Sequence, residues 1–157
     1  MRRTIVFAVL ACALAVPAAR AQTPLSDEAK KAILGYELTL PRANQLITAM
    51  AALSKQMVAA PDFKERMAKS MKMTTAERKA QMVADPNAMA ILKDNKLTAD
   101  EYLVGVPALR MALMVAQGQP AGATVVASPA NVAFAKANLA ALKPKIDAAD
   151  GAFRPKK

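Results

Sequence analysis

Four stretches of this chain carry apolar residues at steps of three and four. Ala29, Ile33, Tyr36 and Leu40 form the first, and Leu46, Met50, Leu53 and Met57 the second. Tyr102, Val106, Leu109, Leu113 and Ala116 form the third, and Val132, Ala135, Leu139, Leu142 and Ile146 the fourth. At 3.6 residues per turn each set lies on one helix face, and a face of that kind is stable only when buried against others. Alanine strengthens the reading. It supplies 30 of the 136 residues from Gln22 onward, while β-branched and aromatic residues are sparse. Alanine has the highest intrinsic helix propensity. The expected fold is therefore all-α: one bundle-like domain of six to seven helices over residues 22–150.

Punctuation falls between the stripes. Thr23-Pro24 or Ser26-Asp27 opens the first helix, and Pro41 separates it from the second. Pro61-Asp62 opens a short third helix reaching about Met71. Thr74-x-x-Glu77 and Thr98-x-x-Glu101 are capping boxes, in which hydroxyl and carboxylate each satisfy a free amide of the first turn. Asp85-Pro86 is a cap followed by proline in the first turn. Asn95 is placed to take the left-handed conformation that ends that helix. The helix from about 99 to 117 is expected to be the longest, with a kink at Pro107 after Gly105 and a stop at Gly118. Gly118 to Ala127 reads as a loop, and Ser128-Pro129 starts the last helix, which Pro144 kinks or ends. Residues 151–157 read as a disordered basic tail.

The opening residues read differently. Arg2 and Arg3 precede a twelve-residue apolar run, Ile5 to Val16, then Pro17 and the small-x-small sequence Ala19-Arg20-Ala21. This is the order of a secretory signal peptide, residues 1–21, with cleavage after Ala21. The run is shorter than the roughly 20 residues of a spanning helix. Lipidation at Cys12 would leave too little apolar chain before the cysteine. Cleavage removes three of 22 basic residues and none of the 12 acidic ones, leaving a net charge of +7 and no thiol. An exported chain without disulfides or an Asn-x-Ser/Thr sequon fits a bacterial periplasm, or secretion, best. No later segment is apolar for long enough to span a membrane.

Composition excludes much chemistry. There is no histidine, so there is no imidazole base, no His-ligated metal and no c-type haem attachment. No glycine-rich phosphate loop, Ser-x-x-Lys or Gly-x-Ser-x-Gly occurs. Asp94, Asp100 and Glu101 are the densest acids, but the last two suit a helix N-terminus and Asp94-Asn95 lacks the ligand spacing of a calcium loop. These absences argue for a non-enzymatic protein with no cofactor. Lys64, Arg66, Lys69, Lys72, Arg78 and Lys79 form a basic cluster broken by Glu65 and Glu77. Mixed charge of this kind usually marks a solvated helix face. With Phe63 the one nearby aromatic, it argues against nucleic acid.

Nine methionines follow the leader, a large number for a chain so poor in aromatics. They suit irregular core gaps. The competing reading is Cu(I), which soft thioethers select. Met67, Met71 and Met73 are the three closest in sequence, and Met73 can join the other two only if the helix ends at Met71 or Lys72. Two sequences, Leu97-Thr98-Ala99-Asp100-Glu101-Tyr102 and Ser128-Pro129-Ala130-Asn131-Val132-Ala133-Phe134, resemble a pattern in small exported proteobacterial all-helical proteins of no assigned function. The resemblance implies an all-α exported protein and carries over no catalytic residue. Two function classes remain. One is a binding module for an unknown envelope protein. The other is a carrier of an apolar small molecule or lipid in an inter-helix groove, made adaptable by methionine and the Pro107 kink.

Overall fold

A computed structural model describes residues 25–122 and 125–151. The expected signal peptide, its cleavage after Ala21 and residues 152–157 of the expected tail lie outside the described residues; Gly151, expected to begin that tail, instead ends the last helix. Within them the chain forms seven helices and no strand: α1 (Asp27–Gly35), α2 (Leu40–Ala59), α3 (Phe63–Lys72), α4 (Thr75–Ala84), α5 (Pro86–Asp94), α6 (Ala99–Ala116) and α7 (Pro129–Gly151). No helix among them is long and apolar enough to cross a membrane.

The centre of the bundle is the trio α2, α6 and α7, which pack on one another. Leu46, Leu109 and Leu142 from these helices and Leu92 of α5 are the largest fully buried side chains of the bundle. Ala43, Ala49, Ala99, Ala108, Ala112, Ala135 and Ala149 are also buried. Where the contacting residue is a methyl group, helix axes can come to the short end of the 8–10 Å packing range. α1 packs on α6, and α5 on α2, α4 and α6. α3 packs appreciably only on α2, and none of the described side chains of α3 or α4 is buried.

Several boundaries follow the expected local chemistry. Ser26 Oγ accepts from the Ala29 amide and caps α1. Both capping boxes are closed, with Thr74 and Glu77 on α4 and Thr98 and Glu101 on α6. Asp85 Oδ1 accepts from the amides of Asn87 and Ala88 at the start of α5. Gly118, at φ 92°, ends α6, with its amide donating to Val115 and that of Gln119 to Met114, a Schellman arrangement.

Others differ. The first stripe is not one helix: α1 ends at Gly35, the next four residues link it to α2, and Pro41 sits in the first turn of α2 with Thr39 as cap. Leu40 is 42% exposed, and the link instead buries Leu38. Lys96, not Asn95, takes the left-handed conformation, at φ 56°. Asn95 remains at negative φ and its side-chain amide donates to the Ile91 carbonyl. Leu97 and Leu92, one on each side of this turn, are both buried, and that contact offsets the strain at Lys96. α6 continues through Pro107. α7, not α6, is the longest helix at 23 residues and passes through Pro144 to Gly151. Pro144 and Ala140 are both exposed, so the carbonyl that loses its amide partner there faces water.

The link between α1 and α2 has its own partner. Asn131, in the first turn of α7, is buried. Its Oδ1 accepts from the Leu38 amide at 3.0 Å, and its Nδ2 donates to the Tyr36 carbonyl at 2.7 Å. One carboxamide thus satisfies a donor and an acceptor two residues apart, as a neighbouring strand would. Tyr36 is then set against Gly105. A Cβ at Gly105 would lie 2.8 Å from Tyr36 Cζ and Oη and 2.9 Å from Leu46 Cδ1.

Two stability predictions follow from this junction. Asn131→Leu leaves the buried Leu38 amide and the part-buried Tyr36 carbonyl without partners and is expected to cost about 2–3 kcal/mol in urea unfolding. Gly105→Ala gains about 1 kcal/mol of helix propensity but meets overpacking of about 1–3 kcal/mol. A net loss of about 1 kcal/mol is expected, and it should shrink in a Tyr36→Leu background, where the ring is gone and only the contact with the flexible end of Leu46 remains.

Candidate functional site

α6 exposes part of its apolar stripe beside α2, and the two build one wall of a cleft of about 320 Å³. α2 contributes Leu53, Gln56 and Met57; α6 contributes Tyr102, Leu103, Val106 and Pro107. Ala88 of α5 adds to this wall. The facing wall comes from α3, through Arg66 and Ser70, and from α4, through Arg78, Gln81 and Met82.

The cleft exists because α3 and α4 carry too few apolar residues to cover what α2 and α6 present. Leu53, Met57, Tyr102 and Val106, expected as core on periodicity, are therefore only partly buried. Met67, Val132 and Leu139, also expected as core, are likewise part-buried. Proline at 107 has no amide to donate to Leu103, so a cleft residue has a carbonyl without its helical donor.

The polar groups of the cleft differ in how far they are already engaged. Asp85 uses both oxygens: Oδ1 caps α5, and Oδ2 accepts from Gln56 Nε2 at 3.3 Å. Arg66 Nε donates to Asp62 at 2.8 Å, which holds the Asp62 carboxyl below its ordinary range. This ion pair explains why Asp62, at the head of α3, makes no side-chain cap. Arg78 has no ion pair among the described residues. Burial pushes the Tyr102 phenol up to about 12, against the opposing pull of Arg110, so it is a neutral donor at physiological pH.

The basic cluster therefore has no single role. Arg66 and Arg78 face the cleft, Lys79 pairs with Asp100 at 2.7 Å, and Lys64, Lys69 and Lys72 are exposed. The acidic set is similarly divided. Asp94 is exposed, Asp100 holds Lys79, and Glu101 closes its capping box and pairs with Arg42 at 3.0 Å. The Thr98 amide, with lesser help from its hydroxyl and Arg42, keeps the Glu101 carboxyl below its ordinary value. No group of three or more acidic, histidine or cysteine residues that could hold a metal occurs among the described residues.

The Cu(I) candidates lie on α3. Met67 is part-buried, and Met73 is the C-cap, part-buried, with its amide donating to Ser70. The helix ends at Lys72, which meets the backbone condition for Met73 to turn back; the Met71 side chain lies outside the described part. Elsewhere methionine packs: Met50 is buried, and Met82 and Met89 lie against the core. No protein-family profile, curated protein or solved structure matches this chain.

Sequence reasoning missed Gln56, Gln81 and Leu103. The usable signal was the run from 61 to 84, helical by its caps yet too polar to complete a core. Two measurements test the arrangement. Amides of α3 and α4 should exchange with solvent faster than those of α2, α6 and α7, because local opening there exposes little apolar surface. Unfolded tyrosine ionises near pH 10, so between pH 10 and 12 the folded chain retains a proton on Tyr102 that the unfolded chain has lost. Stability should fall with rising pH across that window, by up to about 2 kcal/mol, and Tyr102→Phe should remove that part of the loss.

Proposed function

We propose that this chain is a non-enzymatic, exported binding protein whose cleft between α2–α6 and α3–α4 takes an apolar small molecule or lipid chain. The observation that carries the reading is the cleft. Its volume of about 320 Å³ is within the range of small-molecule sites, and its largely apolar α2–α6 wall faces a more polar α3–α4 wall. Met57 and Met82 stand on opposite walls, and their unbranched thioethers adapt to ligands of different shape. The neutral Tyr102 phenol and the committed Asp85 carboxylate favour holding a ligand over transforming it.

The test is native mass spectrometry of protein purified gently after export, followed by thermal-shift titration with single-chain C12 compounds. A retained apolar ligand or a saturable stabilisation is the expected result. Leu103→Trp, which fills the cleft from a part-buried position, should keep the helical circular-dichroism spectrum and lose the stabilisation. Ligand-free protein that gives no shift with any of the compounds would overturn the reading.

A second reading, binding of an envelope protein, is favoured by a shallower depression of about 680 Å³ along α4, α5 and the start of α6. Lys79, Lys93 and Lys96 surround it, and Val83 beside them is 53% exposed. Ligand-free protein that co-purifies stoichiometrically with one acidic envelope partner would favour this reading over the first.

A further inference from the structure

Resting on the cleft as a ligand site, we infer that its occupant is an anionic single-chain amphiphile, with the hydrocarbon along Leu53, Met57, Met82 and Val106 and a carboxylate or phosphate head on Arg78. The argument is a count of charges and of what each already does. Two guanidinium groups and one carboxylate line the cleft. The carboxylate, Asp85, has both oxygens engaged, by the first amides of α5 and by Gln56. It has little left to offer a cationic head. Arg66 is held by Asp62. Arg78 has neither an ion pair nor a hydrogen bond from its side chain among the described residues, and it stands in the wall opposite the apolar stripe. A guanidinium offers a planar fork of donors that matches a carboxylate or phosphate two bonds at a time.

Position reinforces charge. Arg78 and Met82 are four residues apart on α4, so they lie on one helix face, the first at the polar end of the step and the second against the core. A chain lying beside Met82 brings its head to Arg78 one helical turn away. The neighbouring Lys79 points its charge elsewhere, into its pair with Asp100. Selection among ligands then follows. A neutral alcohol fills the apolar wall but leaves Arg78 unpaired, and a trimethylammonium head meets a guanidinium with no free carboxylate nearby.

The experiment is a calorimetric titration of the full exported chain, at submicellar concentration, with dodecanoate, dodecyl phosphate, dodecanol and dodecyltrimethylammonium. Acetate and inorganic phosphate serve as heads without chains. Both anionic amphiphiles should bind about three- to fivefold more tightly than dodecanol, the upper part of the range expected of one exposed charged contact. The preference should shrink as salt is raised. Whichever of the two binds more tightly names the head. Arg78→Gln should bring the anion preference, read as the ratio of dodecanoate to dodecanol binding in the same variant, below about twofold. Lys79→Gln, which removes the same charge one residue away, should retain it. Equal binding of dodecanol and dodecanoate by the wild type overturns this inference and leaves the cleft as an apolar site. An equal loss of preference in Lys79→Gln, or tight binding of dodecyltrimethylammonium, overturns the seat on Arg78. Binding of the free anions as tightly as the amphiphiles also overturns it. If none of the four C12 compounds binds, the cleft reading itself falls, and this inference with it.

Discussion

The fold depends on a single carboxamide. Asn131 holds the link between α1 and α2 through the Leu38 amide and the Tyr36 carbonyl, and it does so from the first turn of α7. Residues 93 and 95 positions apart in sequence are thereby fixed in one register. A link of this kind is normally solvated, because its backbone groups have no partners of their own. Here Leu38 is buried although its neighbours Glu37 and Thr39 are exposed, and one group that donates and accepts at once satisfies the backbone groups that this burial takes from water. The consequences spread outward. Tyr36 is pressed against Gly105, where any side chain would collide, and this sets how closely α6 approaches the start of α2. The Tyr36 hydroxyl ends buried without a hydrogen-bond partner, and burial raises its pKa. That cost is accepted for a close fit between the link and the helix that carries one wall of the cleft.

What the sequence made legible divides along physical lines. Caps act over three residues and depend on few groups, so Thr74–Glu77, Thr98–Glu101 and Asp85-Pro86 could be read in place, and the all-α class with them. The first apolar stripe could not. Its step of three from Ile33 to Tyr36 is helical by arithmetic, yet Asn131 offers the backbone there a better partner than another helical turn, and the stripe breaks. No local pattern signals a partner so distant in sequence. Pro144 misled for the complementary reason. Proline ends a helix when the freed carbonyl is buried, and the exposure of Ala140 decides the matter only after tertiary packing is known. The core was half legible. Large residues marked the helix faces, while the buried alanines that govern close approach carry no contrast against a sequence so rich in alanine.

The cleft was legible only as a deficit. Leu53, Met57, Tyr102 and Val106 read as core because their spacing is that of core, and nothing in the periodicity of α2 or α6 says that the helices opposite them will fail to cover them. The deficit lies in α3 and α4, which solve the problem of being helices through caps, an i, i+4 ion pair between Asp62 and Arg66, and charge, and so leave little apolar surface for packing. The same economy explains why the Met67, Met71 and Met73 run stayed ambiguous. A thioether is both a packing group and a soft ligand, and spacing does not distinguish the two uses.

The weak attachment of α3 and α4 has a direct bearing on access. Full burial of a large apolar side chain contributes about 1.5–3 kcal/mol. Met67 on α3 and Met82 on α4 are only part-buried, and neither helix buries any of its described side chains outright. Among the described side chains, separating α3 from α2 therefore costs only part-burials. Opening α4 additionally costs the exposed Lys79–Asp100 pair, which contributes little in water. The opposing wall is different in kind, since α2 and α6 are locked through Leu46, Leu109 and the Tyr36–Gly105 contact. One wall of the cleft is rigid and apolar while the other is loosely held and cationic. Arg78 belongs to the loosely held wall, while Leu53, Met57 and Val106 belong to the rigid one, so charge and apolar packing are carried by elements that differ in how firmly the fold holds them.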